Sequence, residues 1–190
     1  MSKRAKTALR MAALVALIGV LYVAGTHPSI RPYFSIEYLR AVTGESGVVG
    51  MAAFVALYTG GYLLQIPGLP FVLVALLAWG PWLGSLVAFL GSIAATTASF
   101  WTFRSVGGSP LDGIEHDWAR KALDHIDDHP IRTVALLRAV FYVNPVINLP
   151  LVLSGVRFRD YLIGSILGFG VPLTTIALLM DLLLNWFGIT

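Results

Sequence analysis

Long apolar runs alternate with short polar or proline-bearing breaks along the whole chain. Two of the runs, Leu83 to Phe103 and Tyr161 to Leu184, have the length of membrane helices. Met11 to Ala24 is the first run, and Lys3, Arg4, Lys6 and Arg10 precede it. Two readings stand for this segment. About 17 apolar residues span a slightly thinned bilayer, which makes it a retained helix with its N-terminus inside. The short run ending at Val23-Ala24-Gly25 also fits a cleaved signal peptide. We carry the retained helix forward. His27 to Gly47 is polar, with Pro28 and Pro32 marking a loop and Ser35 placed to cap a short interfacial helix through Arg40. Tyr33, Phe34 and Tyr38 suit headgroup depth there.

Val48 to Ala78 is apolar but interrupted by Gln65-Ile66-Pro67-Gly68-Leu69-Pro70. Prolines and glycine free backbone groups, which lipid tolerates only where protein or a wet cavity covers them. The pattern predicts a re-entrant hairpin with its tip at Pro67-Gly68; a kinked spanning helix is the alternative. Trp79-Gly80-Pro81-Trp82 reads as an interfacial turn, and Leu83 to Phe103 as a spanning helix. Gly84, Ala88, Gly91 and Ala95 share one smooth face of it, fit for close packing. Arg104 to Arg132 is the one strongly polar stretch. Leu111, Ile114, Trp118, Ala122 and Ile126 recur in it at helical spacing, which predicts a cytoplasmic amphipathic helix over about 109–129. Thr133 to Tyr142 then leads to a second break, Asn144-Pro145-Val146-Ile147-Asn148-Leu149-Pro150. The distance from Arg132 to Arg157 accommodates one more re-entrant pair. Tyr161 to Leu184 makes the last span, with Gly164, Gly168, Gly170 and Pro172 inside it.

Composition sharpens this picture. Of 190 residues, 57% are hydrophobic and 12% charged, and the mean hydropathy is +0.79. A soluble domain carries about a quarter charged residues, so lipid must act as the solvent here. The fold class expected is an all-α membrane protein. It has transmembrane helices plus two opposed re-entrant helical hairpins with inverted-repeat pseudo-symmetry. Residues 1–47 form an N-terminal helix and interfacial segment, and residues 48–190 the main membrane domain. Charge orients it by the positive-inside rule. Lys3, Arg4, Lys6, Arg10, Arg104, Arg120, Lys121, Arg132, Arg157 and Arg159 fall on one side, and Arg31 and Arg40 on the other. The expectation is a multi-pass protein of the cell membrane with a cytoplasmic N-terminus. Opposed broken hairpins are a known way to build a midplane site.

One basic residue, Arg138, lies inside the second hairpin. A charge there costs at least about 2.5 kcal/mol and needs a partner or water. It either receives a lipid phosphate through its fork of donors, or snorkels or caps carbonyls of the broken helix. Gln65, Asn144 and Asn148 flank the breaks and either contact a headgroup or satisfy backbone freed by the prolines. Pro67, Gly68, Pro145 and Pro150 read as shape-setting residues of the hairpin tips. Asp181, the sole carboxylate of the last span, either pairs with Arg138, carries a proton or reaches water.

Several classes are excluded. With no cysteine there is no disulfide or thiol chemistry. No G-x-S-x-G, H-E-x-x-H or P-loop lysine occurs, so no enzyme is expected, nor any cofactor. His116, His125 and His129 sit near Asp124, Asp127 and Asp128, but a solvated face explains them and no metal is expected. Spread along a membrane edge, the basic residues do not form a nucleic-acid surface. Nothing in the chain specifies an oligomer.

Pro67-Gly68, Trp79-Gly80-Pro81-Trp82-Leu83-Gly84, Phe100-Trp101-Thr102-Phe103-Arg104, Gly107, Leu136-Leu137-Arg138, Asn144-Pro145, Asn148, Gly155, Phe158-Arg159-Asp160-Tyr161, Gly168 and Pro172 stand in an order and spacing that resembles the VTT-domain superfamily. Its members are also called DedA or SNARE-associated Golgi proteins, and the nearest branch is the Tvp-like one. The likeness covers roughly residues 50 to 175. It implies movement of lipids between leaflets, as phospholipid scrambling or recycling of polyprenyl-phosphate carriers, with membrane lipids as the partners. One departure stands out. DedA-type members carry acidic residues in the first hairpin, associated with proton coupling, whereas this chain has Gln65. Two other functions remain open: a secondary transporter of a small anion or ion, and a membrane assembly protein whose 109–129 helix docks a partner.

Overall fold

The computed structural model describes residues 3–29, 32, 38, 47–107 and 129–187. These include six helices and, among the described residues, no strand. In chain order they are α1 (Lys3–Thr26), α2 (Gly47–Leu63), α3 (Leu69–Gly107), α4 (Pro130–Phe141), α5 (Pro145–Leu153) and α6 (Phe158–Phe187). Two stretches, Leu69–Gly107 and Phe158–Trp186, are long and apolar enough to cross a membrane. Their outer faces carry large exposed apolar side chains, including Leu86 and Leu90 on α3 and Leu167, Val171, Leu182 and Trp186 on α6. Soluble monomers rarely expose so much continuous apolar surface. The molecule is an all-α membrane protein. The helix expected over 109–129, the one capped by Ser35, and His116 and His125 lie outside the described residues.

α3 consists of two arms. Gly80 has φ 77° and ψ 177°, and Pro81 follows without an N–H to continue the ladder. Only glycine occupies that backbone region at low cost. The expected Trp79–Trp82 turn is therefore a hinge at one residue. Across it the arms 69–79 and 81–107 press together, since a Cβ on Gly84 would stand 2.3 Å from the Ala75 carbonyl oxygen. Trp79 turns inward and meets the Phe54 ring edge-on at 5.5 Å, while Trp82 is exposed. A Gly80→Ala substitution has open space for its Cβ. It is nevertheless expected to destabilise by about 1–3 kcal/mol through backbone strain alone. The thermal midpoint in detergent checks this, and an unchanged midpoint would mean that packing rather than Gly80 sets the angle.

The small face of α3 is used as its spacing predicts. Ala88 and Ala95 are fully buried, and Tyr58 of α2 lies so close to Gly91 that a Cβ there would be 2.6 Å from its ring. Tyr58 also stacks on Phe71 at 4.6 Å, which ties α2 to the first arm of α3. α1 lays Leu17, Ile18 and Leu21 against the core around Phe100, Phe103 and Val152.

Both breaks are shorter than the sequence predicts. The first is confined to residues 64–68, with Gln65 at φ 65°. The second is confined to 142–144, with Tyr142 at φ 51°. Asn148 and Pro150, expected within the second break, lie instead inside α5. Local chemistry explains the difference. Asn144 Oδ1 accepts from the Val146 N–H at 2.9 Å, and Pro145 fits the first helical turn, where its missing N–H is harmless. Pro150 then removes only one ladder bond, to the carbonyl of the exposed Val146.

The two breaks touch. The Gly68 N–H donates to the Val143 carbonyl at 3.1 Å. A Cβ on Gly68 would lie 2.6 Å from Val143 Cβ, so only glycine permits this approach. Beyond the breaks, α4 packs along α6 over the most extensive helix contact among the described residues. Gly164 and Gly168 make it possible, because Cβ atoms there would stand 2.8 Å and 2.5 Å from the Ile131 and Ala135 carbonyl oxygens.

Candidate functional site

Close approach of α4 to α6 carries Arg138 into the interior, where it is 0% exposed. Its guanidinium lies over the rings of Tyr161 and Phe169, 5.3 Å from each centroid. Arg138 Nη2 donates to Asn148 Oδ1 and, at 2.7 Å, to the Tyr161 hydroxyl. Tyr161 in turn is 2.6 Å from Asn148 Oδ1 and 3.2 Å from the Thr96 carbonyl, and its one proton goes to either. Asn148 Nδ2 donates to Ser99 Oγ at 2.7 Å. Thus α3, α5 and α6 all contribute to the shell around a cation supplied by α4.

No carboxylate balances that cation among the described residues. The ion pair found there is Arg157–Asp160, at 3.9 Å and with Arg157 exposed. Asp181 is not brought to Arg138. It lies roughly 20 Å farther along α6 than Gly168, at 1.5 Å per residue, and is only half-buried. Arg138 Nε and Nη1 make no well-formed hydrogen bond, although the Tyr62 hydroxyl approaches the guanidinium closely enough for a weaker polar interaction. A buried positive charge with two N–H donors lacking a well-formed hydrogen bond attracts an anion strongly, because little water screens it.

A second polar group sits near the meeting of the two breaks. Ser92 Oγ is 3.1 Å from the Tyr58 hydroxyl and 2.8 Å from that of Tyr142, and it donates to the Ala88 carbonyl at 2.7 Å. Tyr62 donates to the Asn144 carbonyl at 3.5 Å. With Ser85, Thr96 and Ser99, Ser92 forms a buried hydroxyl stripe on one face of α3. From Ser85 to Ser99 it runs roughly 21 Å, a large part of a hydrocarbon core.

The other expected site residues are distributed as follows. Asn148 joins Arg138. Gln65 is half-buried in the first turn and Pro67 is exposed beside the buried Gly68. Pro145 is buried at the start of α5, and Pro150 is exposed. The Asn144 side chain caps α5, which is the backbone role open to it. We expect Asn144→Ala to lower stability by about 1 kcal/mol and leave function intact. A stable but inactive variant would return Asn144 to the site. Arg104, expected as a topological marker, also ties down the turn after α5 by donating to the Val156 carbonyl at 2.7 Å and that of Gly155 at 3.3 Å, and it reaches the Val152 carbonyl at the end of α5 at 3.5 Å.

Tyr161, Phe169, Ser99 and Thr96 escaped the sequence reading as site residues. A signal existed for two of them, since Ser92, Thr96 and Ser99 put hydroxyls on one face of an apolar span.

The family model that matches this chain is that of the VTT domain, over residues 66–182. That range contains Arg138, Asn148, Tyr161 and Phe169, and both breaks except the start of the first. No match was found among curated proteins, and none among solved structures.

Proposed function

Because this chain belongs to the VTT-domain family, we propose that it moves phosphate-bearing lipids between the leaflets of the cell membrane, with Arg138 receiving the phosphate. The observation that carries this reading is the wholly buried Arg138, which has two donors lacking a well-formed hydrogen bond and no carboxylate beside it. A cation so placed is costly in lipid unless it has work to do. The substrate class is a phospholipid or a polyprenyl phosphate, and the activity that of a scramblase or flippase.

In this reading the two hairpins enter from opposite faces and meet at mid-depth, which shortens the apolar barrier. The headgroup passes along the hydroxyls of α3, while acyl or prenyl chains stay in the surrounding lipid. Since Arg138 is enclosed, the headgroup reaches it when the hairpins part at the Gly68–Val143 contact. The N-terminus and the basic residues of the helix ends face the cytoplasm.

Reconstitution tests the proposal directly. Vesicles holding the protein and a fluorescent phospholipid, or separately a fluorescent polyprenyl phosphate, are treated with dithionite. Quenching of both leaflets is expected, against quenching of the outer leaflet alone without protein. Uptake of inorganic phosphate with no lipid exchange would replace this reading by transport of a small soluble anion.

A further inference from the structure

Three buried side-chain polar atoms lack a hydrogen-bond partner among the described residues: Arg138 Nε, Arg138 Nη1 and Ser165 Oγ. The third belongs with the other two. Tyr161, Ser165 and Phe169 follow one another at four-residue spacing and share a face of α6. The guanidinium lies 5.3 Å from the ring centroids of the first and last of them. Ser165 lies between those two residues in the chain and is 0% exposed, which puts it on the side of α6 against which Arg138 packs.

Its behaviour is unlike that of its neighbours. Hydroxyls inside membrane helices ordinarily bond the carbonyl one turn back. Ser92 does so at 2.7 Å, Thr96 at 2.7 Å and Thr175 at 2.9 Å. Ser165 makes no such bond, although the Tyr161 carbonyl stands one turn back in the same helix. A buried unsatisfied hydroxyl costs stability, and each one in a native fold calls for an explanation. Here one explanation serves all three atoms, since Arg138 packs against the helix face that carries Ser165.

We infer that Ser165 is the third donor of the phosphate site, closing with Arg138 Nε and Nη1 around one tetrahedral phosphate group. This rests on the reading of Arg138 as the receiving cation and adds a residue that composition and motif do not single out. Three converging donors match three phosphate oxygens, and the guanidinium fork supplies the charge. Ser165 then binds the ligand rather than its own helix.

Purified protein in detergent is titrated with dihexanoyl phosphatidic acid, with inorganic phosphate and, as control, with chloride, and its thermal midpoint is followed. Phosphate-bearing probes are expected to raise the midpoint. A rise with the lipid alone assigns the site to a headgroup, and one with inorganic phosphate alone to a free anion. Ser165→Ala is expected to raise the midpoint without ligand, because it removes an unsatisfied group. It should also weaken the apparent affinity for the effective probe by about tenfold, the loss of one hydrogen bond to a charged group. Ser165→Cys, nearly isosteric but a poor donor, should show the same loss.

A lower midpoint without ligand together with unchanged affinity would overturn the inference, because Ser165 would then serve the fold. No phosphate-dependent shift in the wild type would overturn it as well. Leaflet exchange in vesicles separates this from the proposed function. Exchange that persists at the wild-type rate in a Ser165→Ala protein of normal affinity sinks only the role of Ser165. Phosphate binding that depends on Ser165 in a protein that moves no lipid sinks only the transport.

Discussion

Arg138→Met exchanges lipid at least about a hundredfold more slowly than the wild type, the loss expected when two charge-assisted hydrogen bonds to phosphate disappear. It also unfolds no earlier. Methionine keeps much of the length of arginine without its charge, so the space between Tyr161 and Phe169 stays filled. Little is orphaned, because Asn148 still accepts from Tyr161 and donates to Ser99. Replacing a buried charge by an apolar side chain of similar shape is often neutral or stabilising. Alanine is the poorer test, since the void alone costs about 2–5 kcal/mol and mixes folding with function. Arg138→Lys should fall between, keeping the charge but losing the planar fork. Dithionite quenching beside a thermal melt decides the matter: a folded Arg138→Met protein with wild-type exchange would remove Arg138 from the mechanism.

Gly168→Ala is expected to cost about 3 kcal/mol, near the upper end for overpacking, and to lower the thermal midpoint by roughly 5–10 °C for a chain of this size. The new methyl would stand 2.5 Å from both the Ala135 carbonyl oxygen and Arg138 Cβ. Neither obstacle is the free end of a side chain, so α4 must move bodily away from α6. Arg138 rides on α4, and its bonds to Asn148 and Tyr161 stretch with that shift; exchange should drop along with stability. Gly170 is the internal control. A Cβ there meets nothing within 4 Å. Gly170→Ala should leave the midpoint unchanged or slightly higher, through better helix propensity. Equal effects at the two positions would show that the α4–α6 contact is not what Gly168 secures.

The chain by itself determined that this is a helical membrane protein, that a break follows each of two apolar runs, and which charge lies inside. Those properties are local. Hydropathy acts on each run separately, Pro67, Pro81 and Pro145 lack an N–H whatever surrounds them, and Arg138 is conspicuous in an apolar stretch. The small face of Gly84, Ala88, Gly91 and Ala95 was legible for the same reason, because a single helix sets its period. Membership of the VTT-domain family followed from the order of such features.

Only the tertiary structure decided the partners. Asp181 is the one carboxylate that the last span offers to Arg138, yet the Gly164–Gly168 contact sets α4 against the Tyr161–Phe169 face, far from it. Asn144 and Asn148 look alike in the sequence. A capping bond spends the first, and the helix it starts turns the second toward Arg138. The meeting of Gly68 with Val143 joins segments far apart in the chain, and no local propensity encodes it. Burial of Ser165 without a bond is of the same kind. Whether a hydroxyl satisfies its own helix or faces a neighbour depends on what the neighbouring helices place beside it, and that is settled only when they pack.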